Sequence, residues 1–130
     1  MKKVIVTFGL TAMIATSVFA GDPAQTLIEK NKCMSCHNIM GMKDAPPFAG
    51  IAWRNSRINA NTAKATLKNS IKNGSHGKYP MFSNTRMPSF SHLSDKELDT
   101  LATWVLSQAQ NMKCGQGKCG SSMNNKKGWW

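Results

Sequence analysis

The chain has 130 residues, with 17 Lys and Arg against 6 Asp and Glu and a formal net charge of +11. That length is one small domain, which buries a modest share of its surface and profits from a cofactor or crosslink at its centre. The six acidic residues form no obvious catalytic pair and no nucleophile–base constellation stands out, so composition argues against an enzyme.

Residues 1–20 carry an export pattern. Lys2 and Lys3 are followed by the almost uncharged apolar stretch Val4 to Ala15, and Val18-Phe19-Ala20 offers small residues where a signal peptidase reads. Cleavage after Ala20 is expected, which places the mature chain in the periplasm. The competing reading is an uncleaved anchor, since Val4 to Ala20 is only slightly short for a spanning helix. After Ala20 no apolar run is long enough to cross a bilayer, so stable membrane insertion of the mature chain is not expected. Residues 21–130 would keep a charge of about +9. A nucleic-acid role, otherwise a natural reading of a basic chain, is implausible for an exported one.

Helical signals dominate and strand signals are nearly absent. Asp22 followed by Pro23 reads as an N-cap with proline at the first helical position, opening a helix through Leu27 and Ile28 into Lys32. A second helix is predicted from near Asn59 or Asn61, with Ala63, Leu67 and Ile71 on one face and a stop at Gly74. The third is the best marked. Ser94-Asp95-Lys96-Glu97 reads as a capping box, Leu93 and Leu98 as a hydrophobic staple, and Leu98, Leu101, Ala102, Val105 and Ala109 recur on one stripe. Residues 38–56 and 75–92 read as irregular, and an irregular segment as long as the second is usually functional or disordered. Domain organisation is therefore a leader over 1–20, one folded unit over 21–110 and a polar, glycine-rich tail over 111–130.

The chemistry concentrates in "KCMSCHN", residues 32–38. Cys33-x-x-Cys36 alone suits a thiol–disulfide pair, half a zinc site or a haem attachment. A thioredoxin-like pair needs a βαβ surrounding, for which the chain shows no strands. Zinc needs two further ligands. Cys114 and Cys119 are the available pair, but structural zinc pairs normally stand closer in sequence. The haem reading uses Cys33, Cys36 and His37 together: the thiols add to two vinyl groups, and the histidine follows at once as an iron ligand. One covalently bound haem c is the expected cofactor. The second axial ligand must come from a distant segment, and Met81, Met87, His76 and His92 all lie in or beside the 75–92 segment. Met87 is favoured because Pro88 fixes its backbone and the capped helix follows shortly; a thioether ligand would raise the reduction potential.

"CMSCH", "APPF", "NGSHGKY" and "MPSFSHLSDKELDTLATWVLS" together resemble the short bacterial class I c-type cytochromes, over roughly Pro23 to Gln108. The resemblance implies an all-α fold of three to five short helices wrapped around one haem, in a mono-haem periplasmic electron carrier. It implies Cys33 and Cys36 as thioether cysteines, His37 as proximal ligand and Met87 as distal ligand. Pro46, or alternatively Pro47, would offer its carbonyl to the other ring nitrogen of His37. The last helix, through Leu101, Trp104 and Val105, would cross the first near Leu27. The stretch from Gly77 to Arg86 is longer and more polar than in the shortest members. Tyr79, Trp53 and Arg54 are candidates to hydrogen-bond a haem propionate.

The function this predicts is a single-electron shuttle, since a closed, six-coordinate site leaves no position for a substrate. The rival classes are a haem site that opens, peroxidase-like or gas-binding, and a metal- or thiol-handling protein that uses the tail. Lys30, Lys32, Lys43, Lys78 and Arg86 flank the haem-binding segments and suit acidic redox partners. A quinol-oxidising complex upstream and a terminal oxidase or reductase downstream are compatible, with the chain itself a monomer.

Residues 112–123, "MKCGQGKCGSSM", stand outside the haem chemistry. Lys-Cys-Gly occurs twice, and Gly115 and Gly117 allow the turn that would bring Cys114 and Cys119 together. In an oxidising compartment the pair is expected to close a disulfide. The alternatives are a soft-metal site that adds Met112 or Met123 to the two thiolates, free thiols, or a disulfide between two chains. A thiol count on denatured protein, before and after reduction, checks the disulfide. The expected result is two additional thiols on reduction, and two free thiols in air-purified periplasmic protein would overturn it.

Overall fold

Four helices surround a central crevice in the computed structural model, which describes residues 21–112. The leader expected over residues 1–20 and the Cys114/Cys119 tail lie outside the described residues. Helix α1 spans Pro23–Lys30, and the Asp22 carboxylate accepts a hydrogen bond from the Ala24 amide at 3.0 Å, so the local cap sets its start. It stops two residues earlier than predicted. Asn31 folds its side-chain amide back onto the Leu27 carbonyl at 2.8 Å, and Lys32 takes a left-handed backbone conformation at φ 54°, which turns the chain into the cysteine segment.

Helix α2, Phe48–Asn59, occupies a stretch that the sequence read as irregular up to Ser56. The correction has a clear physical cause. No side chain caps this helix. Instead its first amides donate to carbonyls of the preceding loop, Phe48 to Asn38 at 2.9 Å and Ala49 to Ile39 at 3.1 Å. Its inner face is built of Phe48, Ala49, Ala52 and Asn55 at helical spacing, and the small and polar members of that set mask the apolar stripe. Helix α3 spans Ala63–Asn73, so Asn59 closes α2 rather than opening α3. The Asn59 side chain accepts from the Asn61 and Thr62 amides, which shapes the turn between the two helices.

The 75–92 segment contains a short antiparallel pair. Strand β1, Ser75–His76, meets β2, Arg86–Met87, with Ser75 opposite Met87 and His76 opposite Arg86. Helix α4, Asp95–Ser107, begins with the expected box: the Glu97 amide donates to Ser94 Oγ at 3.3 Å and the Ser94 amide donates to Glu97 Oε2 at 2.8 Å. Leu93 and Leu98 are both buried in one cluster, as the staple requires. Ala109 falls beyond α4, in a 3₁₀ turn over Gln108–Met112.

Two groups of side chains form the core. Leu27 and Ile28 of α1 pack with Leu93, Leu98 and Leu101, which brings the first and last helices together. Phe48 and Leu67 pack with Ala102 and Val105, joining α2 and α3 to the same α4 stripe. Cys33 and Trp104 touch both groups. No helix among the described residues is long and apolar enough to cross a membrane.

On the surface, Lys68 bridges Asp95 at 2.8 Å and Lys64 bridges Asp99 at 3.3 Å, tying α3 to α4; exposed pairs of this kind contribute little each. The Lys68 ammonium holds the Asp95 carboxyl below its ordinary range, and the Ser94 amide does the same to Glu97. Carboxyls lowered in the folded state contribute stability that is present at neutral pH and is lost as pH falls through their lowered values. Ser94→Ala is expected to cost about 1 kcal/mol at neutral pH, measured as a shift of the urea midpoint.

Candidate haem-binding site

The segment 33–37 is a tight turn. A 3₁₀ turn over Cys33–Ser35 is followed by amides of Cys36 and His37 that both donate to the Cys33 carbonyl, at 3.3 and 3.1 Å. This curl brings Cys33, Cys36 and His37 to the wall of one cavity of about 370 Å³. The two thiols are not joined to each other. Burial pushes the Cys33 thiol up, away from the thiolate that a thiol–disulfide pair works through.

His37 is buried, and its ring is held from two sides. Its Nδ1 lies 2.7 Å from the Pro46 carbonyl. A carbonyl oxygen only accepts, so Nδ1 carries the proton and Nε2 keeps its lone pair. Phe48 stacks on the imidazole with ring centres 4.8 Å apart, and Trp104 meets Phe48 edge-on at 5.2 Å. Burial lowers the affinity of His37 for a second proton, with the Pro46 bond acting the other way, so the ring is in the neutral form that ligates metals. Of the two prolines, Pro47 is committed elsewhere, because its carbonyl accepts the Ile51 amide at 3.0 Å in the first turn of α2.

The four candidates for a second ligand separate in space. Met87 and His76 line the cavity; Met81 is about half exposed on a 3₁₀ turn, and His92 bonds Asn31 at 3.0 Å on the surface. Neighbouring strand residues point to opposite faces. Half-buried Met87 shares a face with Ser75, whereas exposed His76 shares the other with Arg86.

The remaining wall is apolar, built from all four helices through Ile28, Phe48, Ile51, Leu67, Leu101 and Val105. At the polar side, Arg54 lies over the Tyr79 ring at 4.8 Å and the Asn55 amide donates to the Tyr79 hydroxyl at 3.3 Å. Burial pushes the Tyr79 phenol up. Trp53 is turned away from the cavity and carries Arg57 over its ring at 4.9 Å, so of the three propionate candidates only Arg54 and Tyr79 stand at the cavity. Phe48 and Asn55 were not singled out in the sequence. The only signal for Phe48 was an aromatic residue directly after two prolines, and Asn55 gave none. An apolar hollow with two thiols and a neutral imidazole on one wall, and cationic and hydroxyl groups at one side, fits a haem.

An all-α fold built around such a crevice defines a small c-type haem protein. The family model for cytochrome c matches residues 22–109, and the chain belongs to that family. It is 34% identical over 99 residues to cytochrome c-551 of Pseudomonas aeruginosa, an alignment covering 74% of this chain and 86% of the relative. It is 28% identical over 100 residues to cytochrome c-552 of Nitrosomonas europaea, covering 77% and 90% respectively. The crystal structure of that cytochrome c552 superposes with a TM-score of 0.56 over 65% of this chain and 98% of the other. The class 1 cytochrome MtoD of Sideroxydans lithotrophicus ES-1, 24% identical, shares the fold with a TM-score of 0.53 over 67% of this chain and 94% of that one. The protein carries one covalently bound haem c and is a haem electron carrier.

Tyr79→Phe removes the partner of the Asn55 amide and is expected to cost about 1 kcal/mol. Denaturant unfolding of the holoprotein checks this.

Proposed function

We propose that this chain is a periplasmic single-electron shuttle and not an enzyme, with Cys33 and Cys36 as the thioether anchors and His37 and Met87 as the axial ligands. The observation that carries this reading is the 2.7 Å contact of His37 Nδ1 with Pro46, which leaves Nε2 as the basic nitrogen on the wall of a cavity that Met87 also lines. Haem c, when bound, supplies the one-electron couple. The protein's part is to keep its ligands still. Pro46 and Phe48 fix the imidazole plane, and the β1–β2 pair fixes the backbone of Met87. A ligand set that does not rearrange keeps the cost of changing oxidation state low. The apolar wall keeps water out, and a thioether ligand in such surroundings favours the reduced state.

Charge supports the choice of partner. Lys32, Lys78 and Arg86 border the crevice, Lys30 lies in the last turn of α1, and Lys43 donates to the Met34 carbonyl at 2.9 Å beside the cysteine turn. A cationic rim on a strongly cationic chain suits an acidic redox protein, met through a small, transient interface. Quinol-oxidising complexes as donors and terminal oxidases or reductases as acceptors have the matching chemistry.

Two experiments test the reading. The ferric protein is expected to be low-spin with a weak far-red charge-transfer band that disappears in Met87→Ala; a high-spin ferric spectrum at neutral pH would count against it. Electron exchange with an acidic redox partner is expected to slow steeply as ionic strength rises, and stopped-flow rates independent of salt would remove the electrostatic part of the proposal.

A further inference from the structure

The end of helix α3 makes an unusual set of contacts with the segment that follows Met87. The last carbonyls of a helix have no partner within it. Here two of them are taken by the methionine segment: Ser89 Oγ donates to the Lys72 carbonyl at 2.7 Å, and the Phe90 amide donates to the Ile71 carbonyl at 3.0 Å. Between these bonds and β1 sits Gly74, at φ +77°, with the Met87 backbone directly against it. A Cβ at position 74 would lie 2.6 Å from the Met87 carbonyl oxygen, 3.2 Å from the Pro88 carbonyl carbon and 3.2 Å from the Ser89 nitrogen. Glycine is therefore required twice over, for its backbone angle and for the approach. Just beyond it, Ser75 pairs with Met87 across the ribbon.

We infer that the C-terminal turn of α3 is the seat that holds Met87 against the cavity, with Gly74 and Ser89 as its positioning residues. The inference rests on the reading of Met87 as the distal ligand. Helix α3 is itself anchored in the core through Ala63 and Leu67, so its end is a fixed reference within the fold. The methionine side chain leaves a backbone gripped on one side by the ribbon and on the other by the Ser89 and Phe90 bonds. Opening that grip, rather than unfolding the protein, is the step that exposes the distal face to an outside ligand. Ser89 is exposed, so water takes over part of its role when the hydroxyl is removed. Loss of the bond is then expected to shift the local opening equilibrium by about threefold.

The test measures imidazole binding to the ferric holoprotein by stopped flow, together with the far-red band. Ser89→Ala is expected to accelerate imidazole entry about threefold, with Ser89→Thr, which keeps a hydroxyl, restoring the wild-type rate. Gly74→Ala is expected to weaken or abolish the far-red band. Ser94→Ala, which loosens the fold at the α4 cap without touching either bond to α3, is the control and should leave imidazole entry unchanged. Entry into Ser89→Ala at the wild-type rate, or acceleration no greater than in Ser94→Ala, would overturn the inference while leaving Met87 as ligand. A wild-type holoprotein without the far-red band would instead overturn the ligand assignment itself, and the inference with it.

Discussion

The contact between His37 Nδ1 and the Pro46 carbonyl, 2.7 Å long, closes a loop on which most of the architecture depends. The same loop carries the Ala45 amide that donates to the Cys36 carbonyl at 3.1 Å. It also supplies the Asn38 and Ile39 carbonyls that receive the first amides of α2. Helix α2 in turn delivers Phe48 to the imidazole, and Arg54 and Asn55 to the polar side of the crevice. One hydrogen bond thus links the protonation state of a buried imidazole to the start of a helix and to the polar edge of the cavity. A partner outside the ligand itself is what usually fixes a metal-binding histidine's tautomer. Here that partner is backbone, which cannot titrate.

This dependence explains which parts of the structure were legible in the sequence. Helices α1 and α4 were, because their start signals are local: Asp22 with Pro23, and Ser94 with Glu97, act within a few residues. Helix α2 was not, because its cap is two carbonyls that reach it only after the 37–46 loop has closed. Of the two starts read for α3, near Asn59 or Asn61, the first was misplaced for a related reason, since Asn59 can serve either helix and only the folded turn decides. The grouping of Cys33, Cys36 and His37 on one wall could be read because they stand within five positions of one another. Phe48 and Asn55 could not, because stacking on an imidazole and bonding a phenol 24 residues away leave no trace in local pattern. Met87 lies between these cases. Proline beside it gave a reason to prefer it, whereas the glycine it packs against stands thirteen positions earlier and gave only a helix stop.

The core has a division of labour. Leu27, Ile28, Leu93, Leu98 and Leu101 hold α1 to α4, whereas Phe48, Ile51, Leu67 and Val105, joined by Ile28, Leu93 and Leu101 from the first set, present apolar surface to the crevice. The first set resembles the interior of any small helical domain. The second is complete only around a large flat apolar group, and it supplies the burial that a chain of this length lacks on its own.

Cys33 sits where these two parts meet, half-buried and packed against both groups, while Cys36 beside it is exposed. If both sulfurs are to add to the vinyl groups, Cys33 must be reached before the two core groups close around it. Maturation and folding are then ordered events. The macrocycle is tethered while the polypeptide is still open, and the core closes around the junction afterwards. Attachment first and closure of the core second is the order that this burial pattern favours.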